Sequence, residues 1–86
     1  MSRRNLKRFG NRVRAERERL GVSQEELADR SGLHRTYIGG VERGERNLGL
    51  LNVLRLARAL GLPPAALLID FRAVAGANEP RGANDV

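Results

Sequence analysis

The chain has no cysteine, one histidine and few aromatic residues, which make up 3% of its 86 residues. Without cysteine there can be no disulfide framework, thiolate metal site or cysteine nucleophile, which fits a protein of the reducing cytoplasm. One histidine and no clustered carboxylate pair leave little with which to build a catalytic or metal site, so we expect neither an enzyme nor a bound cofactor. Because aromatic residues are few, the core must consist of aliphatic residues, which favours packed helices over a sheet.

Long apolar segments are also absent. The N-terminus is basic but lacks the apolar stretch of a signal peptide. Arg55 and Arg58 interrupt the apolar region that follows Leu48. No segment is therefore expected to span a bilayer, and we predict a soluble protein without a membrane partner.

The positive charge is concentrated at one end of the chain. The formal net charge is +6, with eight Arg or Lys against two Glu in residues 1–20 and eight of each sign in residues 21–86. Such a basic segment attracts polyanions, and nucleic acid is the commonest polyanion in a cytoplasm. The alternatives are a solubilising basic surface and, less strongly, an anionic membrane surface.

Apolar periodicity predicts a first helix over residues 5–20. Gly10 weakens its interior, so the well-formed part is expected to begin near Asn11, and Gly21 can end it in the left-handed conformation. The apolar residues of its inward face are Leu6, Phe9, Val13 and Leu20. Arg and Lys fill most positions between them, as in an amphipathic helix.

Two short helices follow. Ser23 and Glu26 have the spacing of a capping box, so a helix is expected to start there and to end at Gly32. A second one runs to about Arg43, where Gly44 offers a stop. The sequence therefore predicts two short helices that flank a glycine-containing turn.

Two further helices complete the prediction. The fourth covers residues 49–60, with an apolar face of Leu50, Val53, Leu54, Ala57 and Leu60. The fifth starts with Pro63 and Pro64 in its first turn, where their missing amides cost little, and continues through residues 65–74. We expect one domain over residues 1–75 and a disordered tail over residues 76–86, because the tail is rich in Gly, Asn and Pro and has no periodicity.

Six residues of the helix pair have the spacing of a helix-turn-helix: Leu27, Ala28, Gly32, Leu33, Ile38 and Val41. Two helices that cross steeply need a small residue where they touch, which is Ala28, and a residue that can turn left-handed between them, which is Gly32. The other four are apolar contacts. A plain helical hairpin would reproduce only the apolar part by chance, so the joint match favours a DNA-binding motif.

The chain resembles the phage-repressor-like helix-turn-helix family over about residues 11–69. The matching residues include Val13-Arg14, Arg17, Gly21, Ser23 to Ala28, Tyr37-Ile38 and Val41 to Gly44. Residues 33–38, Glu42-Arg43 and residues 46–48 look like the controller proteins of restriction-modification systems. The resemblance implies a compact all-α five-helix bundle. It also implies a transcriptional regulator that binds duplex DNA sequence-specifically as a homodimer on a symmetric operator.

The helix around residues 35–43 then enters the major groove, an assignment that its short length and polar start also support. Arg35 can donate twice to guanine, and Thr36 can bond a base or touch a thymine methyl. Tyr37 can donate to a base or a phosphate, or else pack against the neighbouring helix. Gly39 and Gly40 stand where a polar groove-facing residue is common, so readout would rely either more on residues 35–37 or on close backbone approach and DNA shape.

Contacts to the DNA backbone are expected from residues around this helix. Gln24 resembles the family residue that binds a phosphate and braces the recognition helix. Arg43, Arg46 and Asn47 are expected near the backbone beyond it, although Arg46 could instead reach a base. His34 stands where the family has a capping residue, and it either caps the helix, stays solvated or contacts a phosphate.

Two further positions bear on architecture. Arg17 and Glu42 match a family pair that forms a partly buried salt bridge, so we assign them a structural role. Gly49 lacks the hydroxyl that commonly caps the fourth helix.

A single recognition helix reads only a few base pairs, so specificity generally requires a symmetric dimer. The C-terminal helix carries more apolar surface than a small core can bury, and the residues assigned to an isologous interface are Leu51, Leu67, Leu68, Ile69 and Phe71. A monomer with a fully internal fifth helix is the alternative. Two other functions remain open: an antitoxin-type autorepressor that also binds a protein partner, and a protein-interaction adaptor.

Overall fold

The computed structural model describes residues 2–68, and within that range the chain forms five helices. They are α1 (Arg3–Leu20), α2 (Gln24–Ser31), α3 (Arg35–Glu42), α4 (Leu50–Leu60) and α5 (Pro64–Leu67). The described residues contain no β-strand, so the all-α prediction is confirmed. None of these helices has the length and apolarity that crossing a bilayer requires. The predicted tail, the domain boundary at residue 75, and Ile69 and Phe71 lie outside the described residues.

The core is aliphatic apart from one aromatic ring. Its largest fully buried side chains are Phe9, Val13, Leu27, Ile38, Val41, Leu56, Leu60 and Leu67. They come from all five helices, so each helix contributes its apolar face to a single cluster. This arrangement fixes α3 in place and leaves its polar face at the surface.

Helix α1 is continuous through Gly10, contrary to the expectation that its ordered part begins near Asn11. Gly10 is buried, and a Cβ atom there would lie 2.8 Å from the carbonyl oxygen of Glu42. The residue is therefore a contact point between α1 and the end of α3, and packing outweighs its low helix propensity. Leu20, predicted to face inward, is the last residue of α1 and is 39% exposed.

The turn between α2 and α3 matches its sequence signals. The Ser23 hydroxyl accepts from the amide of Glu26 at 3.0 Å, but the Glu26 side chain pairs with Arg30 rather than returning to Ser23. Only half of the predicted capping box is therefore formed. Gly32 ends α2 with φ of 75°, which confirms the left-handed turn that sets the angle between the two helices.

Helix α4 is rotated relative to the predicted apolar face. Leu56, absent from that prediction, is fully buried, whereas Leu50 is 72% exposed and Leu54 is 40% exposed. The leucines of α4 can form either of two overlapping apolar faces, one with Leu56 and one with Leu50 and Leu54. The packing of the other helices decides which face is buried.

The described part of α5 is one turn. Pro64 occupies its first position and Pro63 the N-cap. Leu67 is 2% exposed and packs into the core, so it is not available to the dimer interface predicted for it. Leu68, the next residue, is 38% exposed. The remainder of the predicted fifth helix lies beyond the described residues.

Candidate nucleic-acid interface

A buried ion pair joins α1 to the end of α3. Arg17 donates from Nε to Oε2 of Glu42 at 2.6 Å and from Nη2 to Oε1 at 3.1 Å. Its third guanidinium nitrogen donates to the carbonyl oxygen of Val22 at 2.9 Å. The hydrogen bond to Glu42 is the main cause that raises the pKa of Arg17 above its ordinary value. The pair therefore holds α1, α3 and the start of α2 in one fixed arrangement.

Gln24 connects this ion pair to the exposed face of α3. Its Nε2 atom donates to Oε1 of Glu42 at 3.0 Å, and its Oε1 atom lies beside Gly39. Gln24 is half-buried at the first position of α2. A primary amide has two N–H groups, so one remains to donate outward while the other braces Glu42.

The first turn of α3 presents polar side chains to solvent. Arg35 and Thr36 are both exposed. His34 occupies the N-cap position and is also exposed, but its side chain makes no capping hydrogen bond. The start of α3 is thus free to approach another molecule, and nothing within the described chain covers it.

Tyr37 is held between two helices and an arginine. Its hydroxyl accepts from Nδ2 of Asn52 on α4 at 3.1 Å, and its half-buried ring packs against the core. The guanidinium carbon of Arg46 lies 5.6 Å from the ring centroid, within the range of a cation–π interaction. Both alternatives for Tyr37 stay open, because a packed ring still leaves the hydroxyl proton available for donation.

The two glycines of α3 lie beneath arginine side chains. A Cβ atom at Gly39 would lie 3.1 Å from Nη1 of Arg43, and one at Gly40 would lie 3.0 Å from Cγ and Nε of Arg46. Gly39 and Gly40 are accordingly buried. Close backbone approach by DNA at these glycines would require both arginines to move, so the arginines themselves form the surface there.

Arg43 and Arg46 are both exposed, as is Asn47. Arg43 pairs with Glu45 at 3.1 Å. This hydrogen bond is the main cause that lowers the pKa of Glu45, and the charges of Arg43, Arg46 and Arg3 lower it further. Glu45 therefore pairs with Arg43 and lies within the electrostatic influence of Arg46 and Arg3.

A second set of exposed residues is apolar and lies on α4 and at the end of α5. It consists of Leu50, Leu51, Leu54 and Leu68, which we call the leucine surface. Leu51 is 60% exposed, and Leu50 and Leu54 are one turn apart on the same helix. Of the predicted interface residues, the described chain thus leaves Leu51 and Leu68 exposed and buries Leu67.

Sequence reasoning missed three kinds of residue. Asn52 holds Tyr37, and Glu45 holds Arg43, but an isolated polar residue in a helix or turn gives no signal of either role. Leu50 and Leu54 fit the periodicity of the core and are nevertheless exposed.

No group of three or more His, Asp or Glu in residues 2–68 is arranged to hold a metal ion.

Comparison with known proteins identifies the family. The family model for the helix-turn-helix matches residues 13–67, more than half of the chain. The control protein C.BamHI of Bacillus amyloliquefaciens is 42% identical over 74 residues, which cover 85% of this chain and 90% of that protein.

Solved structures agree in fold. The restriction-modification controller protein C.AhdI from Aeromonas hydrophila superposes with a TM-score of 0.72 at 54% identity, covering 73% of this chain and 96% of that one. The controller protein C.Esp1396I, solved as a tetramer in complex with its natural 35 base-pair operator, gives a TM-score of 0.71 at 29% identity over 79% of this chain and 90% of that one. The chain therefore belongs to the helix-turn-helix family, in the group that includes the restriction-modification control proteins.

Proposed function

We propose that this protein is a homodimeric regulator of transcription that binds a symmetric operator sequence-specifically, in the manner of a restriction-modification controller protein. The observation that carries the proposal is the exposed start of α3, with Arg35 and Thr36 free while Glu42 anchors the other end of the helix. A rigid helix with a free polar N-terminal turn suits insertion into the major groove. The function is binding in the cytoplasm, without catalysis.

Base reading is assigned to the start of α3 and to Arg46. The guanidinium group of Arg35 can donate twice to a guanine, and Thr36 can contact a neighbouring base. Arg46 lies across Gly40 and over the Tyr37 ring, so its guanidinium occupies the surface where a side chain at position 40 would project. Because positions 39 and 40 have no side chains, the long side chain of Arg46 can lie across α3, where the Tyr37 ring supports its guanidinium.

Backbone contacts are assigned to residues at both ends of the paired helices. Gln24 retains one N–H for a phosphate, and His34 is exposed at the start of α3. Arg43 and Asn47 are exposed beyond its end. Such contacts set the position of the protein on the duplex without reading sequence.

Dimerisation is assigned to the leucine surface. Three of the four exposed leucines lie within five residues of α4 and the fourth directly follows α5, and exposed apolar residues that cluster in this way mark a protein interface. A two-fold dimer would bring the same surface of two copies together, so Leu51 and Leu68 remain interface residues and Leu50 and Leu54 join them. The tetrameric operator complex of C.Esp1396I supports assembly of copies on DNA.

The test is selection of binders from random duplex DNA at physiological salt, with the wild type, Arg35→Ala and Thr36→Ala. We expect the wild type to enrich a two-fold-symmetric motif with half-sites about 10 base pairs apart. Each variant should lose preference at one position of each half-site, at a cost of about 1–3 kcal/mol. Arg30→Ala, which removes an exposed arginine paired with Glu26, serves as the control and should leave the motif unchanged. A wild type without sequence preference would refute the proposal.

A further inference from the structure

A basic groove lies between the start of α1 and the turn after α3. It is lined by Arg3, Arg4, Lys7, Arg43 and Gly44 and has a volume of about 390 Å³. All four cationic residues are exposed. We call them the α1 patch: Arg3, Arg4, Lys7 and Arg43.

The two halves of α1 differ in how their charges are compensated. In the second half, four arginines each pair with a glutamate, and these are Arg12, Arg14, Arg17 and Arg19. In the first half, neither Arg4 nor Lys7 has an ion-pair partner among residues 2–68. Glu45 lies next to the patch and is already paired with Arg43. The patch's excess of positive charge is therefore not used within the described fold.

The patch is fixed relative to α3. Gly44 has φ of 76°, and a Cβ atom there would lie 2.8 Å from the Cα atom of Lys7, so the turn after α3 packs directly on the α1 backbone. Gly10, one turn further along, makes the equally close approach to Glu42. Because these glycines have no side chains, α1 and the end of α3 pack in direct backbone contact. The cations of α1 therefore keep a fixed position beside the end of the recognition helix.

Arginines of the α3 face and of α1 also lie close to one another. Glu45 experiences the charges of Arg43, Arg46 and Arg3 together. Arg46 lies on the α3 face over Gly40, and Arg3 lies in the first turn of α1. A polyanion that contacts the α3 face could therefore continue onto the patch.

We propose that the α1 patch binds phosphates of the DNA backbone beyond the end of α3, as a sequence-independent contact additional to those of the helix-turn-helix. This inference rests on the proposed function, since α3 must occupy the groove for the strand to pass the patch. Duplex DNA carries one negative charge per about 1.7 Å, so a continuing strand supplies phosphates along the whole groove. The groove lining has no apolar side chain. An anionic membrane surface fits it less well, because interfacial helices need an apolar face to insert.

The experiment compares two double variants that remove the same charge. R4Q/K7Q neutralises the two unpaired cations of the patch, and R19Q/R30Q neutralises two exposed arginines that pair with Glu16 and Glu26. Binding to the selected operator and to a scrambled duplex of equal length is measured over a range of salt concentrations. R4Q/K7Q should weaken binding to both duplexes by the same factor. It should also flatten the plot of log K against log salt by about one for each phosphate that the variant no longer binds.

R19Q/R30Q should keep the wild-type slope. The patch assignment would be overturned if R4Q/K7Q kept the wild-type affinity and the wild-type slope of log K against log salt. It would also be overturned if both double variants lost affinity equally, because that loss would reflect net charge alone. Binding to phosphatidylserine vesicles that is abolished in R4Q/K7Q, with DNA affinity unchanged, would assign the patch to membranes and overturn the proposal as well. In each of these outcomes, Arg35→Ala still loses base preference if the proposed function holds, so the two claims fail separately.

Discussion

Two regions of this small bundle differ in how far one chain provides their interaction partners. On the α1–α3 side, Glu42 is buried, and both of its carboxylate oxygens accept hydrogen bonds that link α3 to α1 and α2. On the α4–α5 side, the leucines of the leucine surface remain 38–72% exposed within residues 2–68. The difference supports the proposal that one chain is sufficient to fix α3, whereas the leucine surface is covered by a second copy.

This contrast has a physical basis. A buried charge is tolerated only when all its partners are in place, so the α1–α3 contact allows one geometry. Exposed leucines have no directional requirement, but burying them against a second copy is favourable in proportion to the apolar area removed from water. Orientation on DNA and assembly of copies are therefore controlled by different kinds of interaction. They should be separable by mutation.

The largest effect is expected from Glu42→Ala. The Arg17 side chain is 12% exposed and would lose its partner in a buried position. Unpairing a buried charge in this way costs about 3–5 kcal/mol. Thermal and urea unfolding of the variant measure the destabilisation. Glu18→Ala is the control, because the Arg14–Glu18 pair is exposed on both sides and such pairs contribute about 0–1 kcal/mol. Equal destabilisation of the two variants would contradict the importance assigned to the buried pair.

Gly10→Ala should have the next largest effect. The added methyl would meet the backbone carbonyls of Val41 and Glu42, which cannot move without shifting α3. Overpacking of this kind costs about 1–3 kcal/mol. Gly49→Ala is the matched control, since a Cβ atom at position 49 would meet nothing within 4 Å and its φ of −85° suits any residue. An unchanged unfolding free energy for Gly10→Ala would show that α1 and α3 are less tightly joined than we infer.

Leu54→Glu tests the role of the leucine surface in dimerisation. Burial of a charge in the proposed interface should weaken dimerisation at least about tenfold while the monomer stays folded. Sedimentation velocity over a concentration series measures the shift. Leu20→Glu is the control, because Leu20 is 39% exposed against 40% for Leu54 but lies on α1, outside the leucine surface. A wild type that is monomeric at all concentrations, with and without DNA, would contradict the assigned interface.

The smallest effect is expected from Glu45→Gln. Removing this carboxylate frees Arg43 and takes a negative charge away from the DNA-facing surface, so DNA affinity should rise by less than about tenfold. The arginines lower the pKa of Glu45, so the residue stays charged as pH falls to the ordinary carboxyl range. The ion pair is thus present above that range and is lost below it. The gain should be constant between pH 6 and pH 8 and decline at high salt. Weaker binding of Glu45→Gln would show that Arg43 depends on Glu45 for its position.

Local signals gave the most accurate sequence predictions. Ser23 caps α2 and Gly32 ends it, because each acts within four residues of its own position. The helix-turn-helix followed from the spacing of Ala28 and Gly32. These features need no knowledge of the rest of the fold.

Predictions that depended on distant contacts were less accurate. Gly10 looked like a weak point in a helix, because its close neighbour Glu42 is far away in sequence. The hydrogen bond between Asn52 and Tyr37 joins two helices, and no pattern in either helix indicates it. In α4, two apolar faces share a similar period, so periodicity alone could not tell buried Leu56 from exposed Leu54.

The most direct test of the central claim is a thermodynamic cycle between Arg35 and one base pair. The affinities of the wild type and of Arg35→Ala are measured for the selected operator and for the same operator with the base pair assigned to Arg35 replaced. If α3 reads DNA through this residue, the two changes should be coupled by about 1–3 kcal/mol. Additive effects of the two changes would mean that Arg35 does not contact that base pair, and would contradict the role assigned to the start of α3.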